Sequence, residues 1–71
     1  MVMRTLYTLV DSRGQLAICT VQQLDGRWEL TVRRGKGILV TEHHPEEGAA
    51  MARAEEIRTS LIGVGWRLRE G

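Results

Sequence analysis

Arg33-Arg34-Gly35-Lys36-Gly37 is the segment that concentrates the most chemistry. Three cations beside two glycines can bring side-chain charge and backbone N–H groups to one phosphate. The same residues also suit a plain hairpin turn whose charges are merely solvated. Arg27, Arg67 and Arg69 are the cations that could support a phosphate contact. Nine of the ten cations are Arg, whose forked guanidinium matches phosphate and carboxylate geometry. Contacts of this kind weaken as salt rises. Stacking on bases would need exposed aromatic rings. Only Tyr7, Trp28 and Trp66 exist, and Trp28 is expected in the core.

The other reactive residues form weaker constellations. Glu42-His43-His44 with Glu46 and Glu47 is the densest set of potential metal ligands. Zinc needs three or four ligands converging on a tetrahedron. Neighbouring histidines on a strand point to opposite faces, and no second Cys or third His completes a set. The pair is therefore expected at a solvent-exposed helix junction, with no metal. Cys19 is alone, which excludes a disulfide framework and points to a reducing compartment, the cytoplasm. An activated thiolate wants exposure and a cationic neighbour, whereas Cys19 is expected in mid-strand on the core face. Ser12 and Ser60 lack a recognisable base. No catalytic residue and no cofactor is expected, and the chain reads as a non-enzyme.

Composition bounds the rest. Seventy-one residues, 42% hydrophobic and 27% charged, make one small ordered domain spanning 1–71. Net charge is +1, so no global field draws the protein to nucleic acid or membrane. The distribution is polarised: residues 1–40 carry +3, residues 41–56 carry −4, and residues 57–71 carry +2. Met1-Val2-Met3-Arg4 lacks the apolar run of a signal peptide, and no stretch is apolar enough to span a bilayer.

The elements that must hold these residues are set off by turn signals at Asp11-Ser12-Arg13-Gly14, Asp25-Gly26 and Arg34-Gly35-Lys36-Gly37. Between them lie β-rich runs from Arg4 to Val10, Leu16 to Leu24, Arg27 to Arg33 and Ile38 to Thr41. Asp25-Gly26 suits a two-residue type I′ hairpin, which sets Leu24 opposite Arg27 and Cys19 opposite Val32. Cys19, Val21, Trp28, Leu30 and Val32 then share an apolar face; Thr20, Gln22, Glu29, Thr31 and Arg33 share the other. Leu16, Ile18 and Leu24 are left over on that polar side. A helix is expected over Pro45 to Ile62, with Ala50, Ala54, Ile57 and Leu61 as its buried stripe and Gly63 just past its end. The alternation from Val64 to Arg69 predicts a short last strand at a sheet edge. The fold class is α+β: an antiparallel meander of four strands, one helix on one face and a short C-terminal strand, ββββαβ.

From Trp28 onward the chain resembles the WGR domain. Arg33-Arg34-Gly35-Lys36-Gly37 occupies the place of the family's Trp-Gly-Arg turn, Pro45 to Ile62 that of its helix, and Gly65-Trp66 that of its closing Gly-aromatic pair. Leu6-Tyr7 and Asp25-Gly26-Arg27-Trp28 fit the earlier strands. Arg34 stands where the family has Trp and Lys36 where it has Arg, so Gly35 alone matches the triplet. The resemblance implies DNA contact, through Gly35 and Lys36.

The expected function is thus a non-enzymatic DNA-binding module contacting phosphates through Arg33, Arg34 and Lys36, with Arg27, Arg67 and Arg69 in support. The competing expectation is a small interaction or structural domain that pairs with a second copy or another protein, because a short domain gains burial by association.

Overall fold

The computed structural model describes residues 3–69, and its architecture follows from the hairpin turns. Asp25 and Gly26 both adopt positive φ, 48° and 76°, as a type I′ turn requires. The turn joins β2 (Leu16–Leu24) to β3 (Arg27–Arg34) in the expected register, from Leu24 opposite Arg27 to Ala17 opposite Arg34. The loop before β2 is organised by Asp11. Its Oδ1 accepts hydrogen bonds from the backbone N–H of Arg13 (2.9 Å) and Gln15 (2.8 Å), and Gly14 supplies a positive φ. β1 (Met3–Val10) is thereby set antiparallel to β2, with a bulge between Thr5 and Tyr7.

β4 (Gly37–His44) is longer than expected. His43 and His44 belong to this strand, opposite Glu29 and Trp28, and not to a helix junction. The ladder continues because β3 offers partners as far as Trp28, a non-local effect that local residue types do not carry. Helix α1 (Glu47–Gly63) begins two residues later than expected, and Pro45 lies ahead of it. Its buried residues are Ala50, Ala54 and Ile57, with Leu61 packed beside the core.

Gly63 lies within the helix; the residue that turns the chain is Gly65, at φ 111°. The N–H of Gly65 donates to Ile62 O (3.2 Å) and that of Trp66 to Leu61 O (3.1 Å). This is the Schellman pattern, which needs a positive φ at the first residue past the cap. It folds Trp66 back onto the core and starts β5 (Arg67–Leu68), which pairs antiparallel with β1. The sheet order is β4-β3-β2-β1-β5, so the architecture is α+β, ββββαβ, with the helix on one face.

The core lies between that face and α1: Leu9, Ala17, Cys19, Leu30, Val32, Ala54, Ile57 and Trp66. Small residues on both sides, Ala17 and Cys19 below and Ala50 and Ala54 above, are all buried, and they let the helix come close to the sheet. Trp28 is only half-buried, because it lies near the strand end opposite Gln23 and His44. Burial raises the Cys19 thiol above its ordinary pKa, which leaves it a core filler without nucleophilic character. The Tyr7 hydroxyl donates to Ala54 O at 2.7 Å, tying β1 to the helix.

Burial, then a contact with Cys19, pushes the Tyr7 phenol above its ordinary value. A raised folded-state pKa makes a stabilising contribution that is intact below pH about 10, the unfolded value, and is lost as pH climbs beyond it. Tyr7→Phe is therefore expected to lower stability by about 1 kcal/mol at neutral pH, from the lost hydrogen bond. It should also flatten the alkaline decline. Urea unfolding from neutral to strongly alkaline pH tests both, and an unchanged alkaline slope would refute the assignment.

Candidate nucleic-acid interface

Antiparallel topology decides which turns become neighbours. The β1–β2 loop and the β3–β4 turn must lie at one end of the sheet, and the chain reversal after α1 brings β5 to the same end. That end gathers Arg13, Arg33, Arg34, Lys36 and Arg67, all exposed. The β2–β3 turn and the helix start lie at the other end, where Asp25, Glu46 and Glu47 outnumber Arg4 and Arg27. The molecule, 37 × 21 × 21 Å, is thus charged unlike at its two ends.

Gln15 joins the two basic loops. Its Oε1 accepts a hydrogen bond from Arg34 Nε at 3.0 Å. The Arg34 guanidinium also lies 5.9 Å from the centre of the Trp66 ring, a cation–π arrangement. Arg13, Arg34 and Trp66 line a polar cleft of about 500 Å³ together with Asp11, Ser12 and Gly65. Arg33 stands on the opposite, helix-free face between Ile18 and Ile38. Arg67 is paired with Val10 on that face, and Arg69 follows it, its N–H donating to Thr8 O at 2.9 Å. The seven residues read from sequence therefore do not form one cluster. Arg33, Arg67 and Arg69 share the open face, Arg34 lies on the helix side, and Gly35 and Lys36 cap the rim between them.

Two details differ from the simplest phosphate cradle. The Gly35 N–H donates to Leu16 O at 3.2 Å, so it is engaged within the sheet. Arg27 sits at the far end, in a shallow hollow with Leu24, Asp25 and His43. Arg13 stands outside any basic run in the sequence. The one signal for it was its place in the first turn, which an antiparallel meander puts beside the third.

Three carboxylates, on β3, on β4 and at the helix start, are already engaged. Glu42 accepts from Arg53 Nε (3.0 Å) and lies 3.0 Å from His44 Nε2. Burial alone would raise the Glu42 carboxyl, but hydrogen bonds from Arg53 and His44 outweigh it and hold it below its ordinary value. Glu29 accepts from Gln22 (2.9 Å) and contacts His43 (3.2 Å), and Glu47 pairs with Arg4 (3.5 Å). Among the described residues no group of three His, Cys, Asp or Glu is placed to hold a metal ion. No helix among them is long and apolar enough to cross a membrane.

Comparison with protein-family models, with curated proteins and with solved structures gives no match.

Proposed function

We propose that this domain is a non-enzymatic, cytoplasmic DNA-binding module of WGR-like character, which grips backbone phosphates with the cations of its basic end. One observation carries the reading. Among the described residues, no carboxylate lies within 4.0 Å of Arg13, Arg33, Arg34, Lys36, Arg67 or Arg69, nor of Arg27 at the far end, whereas Arg4, Arg53 and Arg58 are each paired. Unpaired Arg on two sides of one rim can straddle a phosphate backbone. A face 21 Å across spans about six base pairs at about 3.4 Å each. Thr5, Thr20, Thr31 and Thr41 stand in register in one row across the open face, with Thr20 and Thr31 buried and Thr5 and Thr41 exposed. Phosphate contacts set position and carry no sequence information, so binding is expected to vary little with DNA sequence.

Titration of isotopically labelled protein with a short duplex tests this by NMR. Amide shifts are expected at Arg13, from Arg33 to Gly37 and from Arg67 to Arg69, fading as salt rises. Absence of shifts at low salt, or shifts confined to the Asp25 end, would overturn the reading.

A further inference from the structure

We infer that the basic end selects DNA over RNA, because an aliphatic strip on the open face accepts the 2′-methylene of deoxyribose and rejects the 2′-hydroxyl of ribose. This selectivity rests on the phosphate grip proposed above, to which it adds the sugar. The strip is Val10, Leu16 and Ile18. Val10 stands opposite Leu16, and Ile18 lies one step further along the same face, opposite Thr8. Leu9, Ala17 and Cys19 alternate with them and form the core on the helix side. The strip is therefore on the uncovered side, and all three of its residues are half-buried.

Position ties the strip to the cations. Val10 is paired with Arg67 and Ile18 with Arg33, the exposed Arg of this face. The order β3-β2-β1-β5 sets Arg33 and Arg67 three strand spacings apart, about 14 Å. The strip fills that interval. A strand whose phosphates meet both guanidinium groups lays the sugars between them on Val10, Leu16 and Ile18. Further along, the same face changes to Gln22, Glu29 and His43. The aliphatic surface is thus continuous with the phosphate-gripping end.

Sugar chemistry then separates the two nucleic acids. Deoxyribose presents only C–H at C2′, so burial against aliphatic side chains is favourable. Ribose presents a hydroxyl that is both donor and acceptor. The strip has no polar side-chain atom to meet it. Its backbone groups face the ladders of a sheet in which β2 lies between β1 and β3 and β1 between β2 and β5; Leu16 O, for one, accepts from the Gly35 N–H at 3.2 Å. Thr8, beside Ile18, brings one neutral hydroxyl to the border. A hydroxyl desolvated without a partner is disfavoured. A second copy laid on the strip about a two-fold axis would gather Arg33 and Arg67 of both copies in one place, and like charges oppose that arrangement.

Fluorescence anisotropy with a DNA duplex and an RNA duplex of the same sequence, each over a salt series, tests the inference. DNA is expected to bind about tenfold more tightly. Ile18→Thr offers the ribose hydroxyl a partner and should reduce the preference to about threefold. Leu16→Thr/Ile18→Thr should abolish it, while the salt slope on DNA stays that of the parent. Thermal melting checks that each variant folds, and the single variant decides the matter if the double one does not. Equal affinity of the parent for both duplexes, with the salt slope intact, would overturn the selectivity and leave the phosphate grip standing. Binding to neither duplex would remove both. A preference unchanged in the folded variants would assign it to duplex geometry and overturn the role of the strip. So would a parent chain that sediments as a dimer without DNA and becomes monomeric on Ile18→Thr, which would give the strip to a second copy.

Discussion

Leu30→Ala is expected to lower stability by about 3 to 4 kcal/mol. Leu30 is wholly buried at the middle of β3, opposite Val21 on one side and Glu42 on the other, beneath the helix. Removing its isobutyl group forfeits transfer free energy and leaves a void that a close-packed sheet closes only in part. A domain below about 80 residues commonly holds only about 3 to 5 kcal/mol in total. The variant is therefore expected to be largely unfolded at room temperature, with loss of the cooperative urea transition. Val64→Ala is the matched control: Val64 is 76% exposed, so it should shift stability by less than about 0.5 kcal/mol. A loss below about 1 kcal/mol for Leu30→Ala would mean that α1 does not rest on β3.

The second large effect is on binding. Arg33→Ala/Arg34→Ala/Lys36→Ala should make the dependence of log affinity on log salt shallower by about three. If variant and parent bind equally at about 1 M salt, the variant is weaker by roughly 500-fold at about 0.1 M, from a slope near 0.9 per phosphate. The loss should be uniform across duplex sequences. Arg34 also braces Gln15 and Trp66, so its loss carries some stability. The pair Arg33→Ala/Lys36→Ala avoids that, and its slope should fall by about two. Arg27→Ala, at the Asp25 end, should leave the slope unchanged. Fluorescence anisotropy across a salt series reads all of these. Parallel salt slopes for parent and triple variant would remove the basic end from the interface.

The charge polarity also bears on how a small domain finds a polyanion. Net charge is only +1, so attraction at long range is slight. Within a Debye length of about 8 Å at physiological salt, the basic end acts without its acidic counterpart, which lies at the far end of a 37 Å body. Polarity of this kind orients the encounter as well as strengthening it.

Much of the architecture was legible in local chemistry. Asp25-Gly26 determined the β2–β3 register, because a type I′ turn leaves no freedom in which residues oppose. Alternation then determined which face of β2 and β3 is apolar, and steps of four and three marked Ala50, Ala54 and Ile57 as the buried stripe. Each of these depends on residues a few positions apart. The tertiary structure decided the rest. β4 extends through His43 and His44 because β3 supplies the partners, and the residues' own propensities do not say so. Gly65, and not Gly63, ends the helix run, because Trp66 must fold back onto the core and only a positive φ at that point permits it. The candidate site was half legible. Arg33, Arg34 and Lys36 stand together in sequence, yet strand alternation sends Arg33 and Arg34 to opposite faces. Arg13 joins them, and Arg27 leaves, only when five strands are ordered in space. Turn chemistry acts over two to five residues and so can be read along the chain. Which charges become neighbours depends on pairings dozens of residues apart, and those are set by burial of the whole sheet under one helix.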